Sequence, residues 1–148
     1  MSFKRSLTAV LALCMVFTGT LTGCDTDRTD PLDNTDSNLP KVQDISVDEA
    51  KDLIDRNTNS TEFVILDVRT PSEYAQGHIA GAVNLDYYAS FENSLSALDK
   101  NKTYLVYCRS GNRSVSASQL MVDNGFTSIY NMLGGINVWI ANGLPLAT

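Results

Sequence analysis

In 148 residues there are one histidine, three cysteines and few basic side chains. His78 alone cannot anchor a metal cluster, and no His/Cys/Asp group has metal-ligand spacing. Lys and Arg number 11 against 17 Asp and Glu, a net charge of −6. That balance excludes a nucleic-acid partner and electrostatic attraction to anionic lipid. No apolar run is long enough to cross a bilayer and stay there. The strongest, residues 7–17, follows Lys4 and Arg5 and precedes small residues, which is the layout of an export signal. There is no internal repeat, and the length allows one domain with a remainder.

The remainder is at the front. Residues 1–23 read as a signal peptide ending in Leu21-Thr-Gly-Cys24. Those four residues resemble the lipobox of bacterial lipoproteins, and the resemblance implies cleavage before Cys24 and acylation of its sulfur. The alternative is an ordinary signal with a chance cysteine. Residues 25–40 are rich in Asp, Thr, Asn and Ser, with Pro31 and Pro40, and read as a tether. Residues 24–40 would thus form a lipid-anchored tether, reaching about 20 Å on average. Asp25 resembles the inner-membrane retention signal of enterobacterial lipoproteins, which matters only in a two-membrane cell. Without Lys4 and Arg5 the mature chain has 9 basic against 17 acidic side chains, a charge of −8. Its expected address is the periplasmic side of a membrane or the outer face of the cell membrane. Multiple acyl chains would hold it there stably.

Processing also sorts the cysteines. Cys14 leaves with the signal, Cys24 carries lipid, and Cys108 remains as the only thiol. No internal disulfide is then possible, and a lone exported thiol is a candidate reactive group.

Residues 41–148 alternate strand and helix signals. Residues 41–45 suit a short edge strand. Ser46-Val-Asp-Glu49 is a capping box opening a helix to about Arg56. Residues 63–68 form a nearly continuous apolar run, as in a strand buried on both faces. Thr70-Pro-Ser-Glu73 is a second capping box, with Pro71 at the first helical position and an end near Gly77. A brief strand follows at 82–85 and a helix at 90–98. Residues 104–107 are a strand, 115–124 a helix stopped by Gly125, and 127–130 a strand. Gly134-Gly135 breaks the chain before a short helix at 136–141. The class is α/β with a mainly parallel sheet.

In such sheets, sites lie at the carboxyl ends of strands. Two stretches fall there: Asp67-Val-Arg69 and Cys108-Arg-Ser-Gly-Asn-Arg-Ser114. In the second, loop N–H groups and a helix N-terminus converge on a cysteine and favour an anion. That field lowers a thiol pKa and supplies the thiolate nucleophile.

Three stretches now resemble the rhodanese (thiosulfate sulfurtransferase) family in its single-domain form. They are Leu66-Asp-Val-Arg-Thr-Pro-Ser-Glu-Tyr-Ala-Gln-Gly-His-Ile-Ala-Gly-Ala-Val-Asn-Leu85, the 108–114 loop, and Gly125-Phe126 with the segment from Asn131 to Trp139 and Gly143-Leu-Pro145. The resemblance implies a five-stranded, mostly parallel sheet with helices on both faces. It implies that Cys108 is the catalytic nucleophile, taking the outer sulfur of thiosulfate or a similar donor as a persulfide. A thiol, or cyanide in an assay, would then accept that sulfur, with no cofactor. Loop N–H groups of Arg109, Ser110, Gly111, Asn112, Arg113 and Ser114 would cradle the anion, and both arginines would orient the donor. Asp67 and Arg69 would support the loop, with Arg69 expected to pair with Glu73. His78 would be structural, and Phe126 and Trp139 core.

Two rivals stay open. One is a persulfide carrier that hands sulfur to a partner protein without multiple turnover. The other is a cysteine phosphatase; related phosphatase loops have five residues between cysteine and arginine, whereas Cys108 and Arg113 are separated by four. A dithiol oxidoreductase lacks a resolving cysteine.

Overall fold

The computed structural model describes residues 41–148. The expected signal, lipobox and tether, and with them Cys14 and Cys24, lie outside the described residues. Among the described residues no helix is long and apolar enough to cross a membrane.

Five strands, β1 (Val42–Ile45), β2 (Phe63–Asp67), β3 (Ala82–Asn84), β4 (Thr103–Tyr107) and β5 (Ser128–Met132), form one sheet in the order β1-β5-β4-β2-β3. Every pairing is parallel. The helices are α1 (Val47–Arg56), α2 (Pro71–Ala75), α3 (Phe91–Ser94), α4 (Asn112–Asp123) and α5 (Gly135–Ala141). Both capping boxes form as read: Ser46 with Glu49 opens α1, and Thr70 with Glu73 opens α2.

The sheet is covered on both faces, so period-two alternation sorts side chains into two cores. Leu66, Val68, Tyr104, Val106 and Cys108 pack with Phe91, Ala117, Met121 and Phe126. Ile65, Leu105 and Tyr107 pack with Val47, Ala50, Ile136 and Trp139 on the other face. Cys108 therefore continues the phase of Tyr104 and Val106 and faces α4.

Two expected helices differ. The one placed at 90–98 is a single α turn, α3, followed by a 3-10 turn at Leu95–Ala97. Ser90 enters it at φ 56° with no side-chain cap, so nothing local stabilises a longer helix. The one placed at 115–124 begins three residues earlier, at Asn112. Its N-cap is Gly111 at φ 104°, a left-handed conformation open to glycine, with no side-chain capping bond to mark it.

Candidate active site

Cys108 follows β4 directly and sits at the floor of the turn into α4, 1% exposed. Three residues later the left-handed Gly111 folds its N–H back onto the sulfur, donating to Sγ at 3.2 Å. Burial opposes ionisation of the thiol. The Ser114 N–H and hydroxyl and the N–H groups of Gly111 and Ser110 outweigh it, and the Cys108 pKa falls below its ordinary value. The Ser114 hydroxyl has one proton and two acceptors, the sulfur and the Gly111 carbonyl at 3.0 Å. It can turn to the sulfur when charge appears there. The first turn of α4 adds the positive end of a 12-residue helix.

The loop is held from behind by α5. The Cys108 carbonyl accepts the Ile136 N–H at 2.9 Å, and the Arg109 carbonyl accepts the Asn137 N–H at 3.1 Å. A trans peptide is planar, so its N–H points opposite to its carbonyl. Tying the Arg109 carbonyl to α5 therefore turns the Ser110 N–H toward the sulfur. The approach needs Gly135: at φ 59° it lies so close that a Cβ would stand 2.8 Å from the Arg109 carbonyl.

Asp67 and Arg69 build the adjoining wall. Arg69 Nε donates to both Asp67 oxygens at 3.0 Å and Nη2 to Oδ2 at 2.6 Å. Nη2 also donates to the Gly77 carbonyl at 2.8 Å. Asn84 Nδ2 ties the Asp67 and Arg69 carbonyls at 3.0 and 2.8 Å. Burial lowers the Arg69 pKa, and the Asp67 carboxylate more than restores it, leaving it raised. The expected Arg69–Glu73 pair is thus corrected: Arg69 is spent on Asp67, two residues away on the same buried strand end. Beneath them the Val68 N–H donates to the Tyr107 carbonyl at 2.9 Å, joining this wall to the strand that carries Cys108.

Glu73 is instead engaged by Arg113. Arg113 Nη1 and Nη2 donate to its two oxygens at 2.7 and 2.8 Å, a fork on a fork. Those bonds come first in lowering the Glu73 pKa to about 2, against burial and with the Thr70 cap. The Arg113 guanidinium also lies 5.7 Å from the centroid of the exposed Tyr88 ring. Among the described residues Arg109 has no ion-pair partner and is exposed. A cleft of about 240 Å³ opens beside the loop, lined by Glu73, Arg109, Ile136, Asn137, Ile140 and Leu146 among others.

The structure thus brings Cys108, Ser110, Gly111 and Ser114 together around the sulfur and sets Arg109 at the mouth. It places Arg113 beside the loop, bonded to Glu73 yet near enough to feel charge on Cys108, and Asp67 and Arg69 in the wall. His78 bonds Tyr74 through Nδ1 at 3.1 Å, stacks on the Tyr74 ring at 3.8 Å and pairs its backbone with Ala147. Phe126 and Trp139 are buried. Sequence reasoning missed the Glu73–Arg113 fork, because Arg69 stood four residues from Glu73 and offered a local partner, whereas Arg113 is 40 residues away. It also missed Gly135, whose only signal was the Gly134-Gly135 doublet read as a break.

A cysteine sulfur ringed by backbone donors at the carboxyl edge of a parallel sheet defines a class: α/β proteins with a cysteine set in a loop that favours an anion. Within that class the chain belongs to the rhodanese-like domain family, whose pattern it matches over residues 46–142. It is 33% identical to a sulfurtransferase of Allochromatium vinosum, over 66% of this chain and 91% of that one. It is 41% identical to the thiosulfate sulfurtransferase GlpE of Coxiella burnetii, over 55% of this chain and 75% of that one. Among solved structures, a rhodanese-related protein of Thermoplasma volcanium superposes with TM-score 0.60 at 30% identity, covering 71% of this chain and 97% of that one.

Proposed function

We propose that the protein is a sulfurtransferase that carries a sulfane sulfur as a persulfide on Cys108. The observation that carries this reading is the Cys108 sulfur set among N–H donors, Gly111 N–H at 3.2 Å, which lower its pKa below the ordinary value. The thiolate attacks the outer sulfur of thiosulfate or a similar donor. The donor's S–S bond breaks, both its electrons leave with sulfite, and Cys108 holds the persulfide anion. Loop N–H groups take over that charge, and Arg109 draws the anion in. A thiol or cyanide then attacks the outer sulfur and returns the thiolate. His78 has no part in these steps; its ring is committed to Tyr74.

Mass spectrometry after thiosulfate tests the reading. One added sulfur on Cys108, removed by cyanide and absent in Cys108→Ser, is expected. A reduced thiol that gains no sulfur overturns it. A carrier handing sulfur to a partner protein gives the same adduct with slow turnover on cyanide, so kinetics separate the two. The four-residue gap to Arg113 weighs against a phosphatase; turnover of an aryl phosphate without sulfur transfer would favour that rival.

The lipobox supports a further part of the reading. Cys24 is lipidated and residues 24–40 tether the domain on the outer side of a membrane. Cys24→Ser is expected to move the protein from the membrane to the soluble fraction. Retention of that variant in the membrane overturns the anchor.

A further inference from the structure

Glu73 lies outside the Cys108 loop, yet it makes the one side-chain ion pair to that loop among the described residues. Both terminal nitrogens of Arg113 are occupied, at 2.7 and 2.8 Å. The side chains are only 15% and 23% exposed, so water does not release the pair cheaply. Glu73 also lines the cleft beside the loop that Arg109 lines, so a donor drawn in by Arg109 comes near its carboxylate. A donor entering there meets one guanidinium without an ion-pair partner among the described residues, that of Arg109, and one carboxylate, the Arg69 guanidinium of the same lining being paired with Asp67; the loop sequence offered two free cations.

We propose that Glu73 is a specificity-determining residue: by holding Arg113 it turns the site from dianionic donors toward donors with a single negative charge. This deepens the sulfur-transfer reading and rests on it. The attraction a donor feels scales with its charge, so a carboxylate on the approach penalises a dianion twice as much as a monoanion. An organic thiosulfonate is such a monoanion. The Cys108 thiolate attacks its terminal sulfur, the S–S bond breaks, and both electrons leave with the sulfinate. Two negative charges stand on each side of that step, and no proton or redox partner is required. With thiosulfate the same step gathers three beside Glu73.

Glu73 acts through Arg113 and is a positioning residue, so its test needs a readout that loss of structure would not give. Glu73→Gln keeps an oxygen for the Thr70 N–H cap, removes the charge and replaces one of the two acceptors of Arg113 with an NH2 donor, so the fork opens. Steady-state kinetics with thiosulfate and with benzenethiosulfonate are the measurement. In Glu73→Gln the thiosulfate KM is expected to fall about fivefold and the benzenethiosulfonate KM about twofold, since the energies differ by the ratio of charges. The kcat values change little. The Glu73→Gln/Arg113→Gln double variant restores the local charge, and both KM values return close to wild type. Equal changes for the two donors, an unchanged thiosulfate KM, or a double variant that behaves like Glu73→Gln would each overturn the proposal. Persulfide on Cys108 of the wild type keeps the two readings distinguishable: with it, any of those results sinks only the role of Glu73. Without it for either donor, sulfur transfer itself falls, and this inference with it.

Discussion

Cys108 is buried yet more acidic than an ordinary thiol, because donors around it outweigh the loss of water. The sign of the pH effect follows. A thiol more acidic in the folded chain contributes stability that is full above its unfolded value, about 8.5, and is lost as pH falls through the folded value. Reactivity follows the same thiolate. Alkylation of Cys108 against pH is expected to give a midpoint below that of a free thiol. In Ser114→Ala the midpoint moves up, because a hydroxyl and its adaptable proton are gone. An unmoved midpoint would leave the backbone donors as the whole cause. Glu73 makes a second residue-level prediction. Its pKa falls from 4.5 to about 2, first through Arg113, so its stabilisation is present above 4.5 and is lost as pH falls toward about 2. Glu73→Ala is expected to cost about 1–2 kcal/mol near neutral pH, from the fork and the cap together. Urea midpoints at neutral and acid pH should show that gap closing.

Between elements, the site depends on two supports behind the thiol. Helix α5 takes the Cys108 and Arg109 carbonyls, and Gly135 allows the approach. Gly135→Ala meets both a left-handed φ and the Arg109 backbone, so a loss of about 2 kcal/mol or more is expected. The alkylation midpoint of Cys108 should rise as well, since Ser110 turns away. The second support is the Asp67–Arg69 wall. Asp67→Ala leaves a guanidinium 5% exposed without its partner, with an expected cost of about 3–5 kcal/mol in thermal or urea unfolding. What was legible in the sequence divides along the same line. Ser46 and Thr70 announced α1 and α2, because a capping box is complete within four residues. The strand alternation that aims Cys108 at α4 is likewise local. The start of α4 was not legible, since Gly111 caps it through its backbone and offers no side-chain signature. Nor was the partner of Arg113. Glu73 lies 40 residues away, and only the sheet order brings α2 beside the loop. Arg69 pairs with Asp67, two residues away, and not with Glu73, four away, because both ends of the nearer pair are buried at one strand end.

Across the whole domain, the last residues reach back to the wall of the site. The Trp139 indole N–H donates to the Pro145 carbonyl at 2.9 Å, and Ala147 exchanges backbone bonds with His78 at 2.8 and 2.9 Å. Next to His78 is Gly77, whose carbonyl accepts from Arg69. Deleting residues 144–148 is expected to lower the melting temperature by several degrees, about 1–2 kcal/mol in a domain of this size. It should also slow persulfide formation, because the Arg69 anchor loosens. Unchanged kinetics would confine that tail to stability.

The sheet order has a kinetic consequence. Among the described residues β1 pairs only with β5, residue 42 against residue 129. Its edge does not exist until nearly the whole domain is available, so this closure is among the least local contacts in the chain. Loop-closure entropy makes such contacts late and folding correspondingly slow. A chain ending before residue 128 would hold the Cys108 loop in sequence but have no strand to seat β1. Refolding is therefore expected to be a single slow, sheet-closing event, with the thiol acidified only when it is complete.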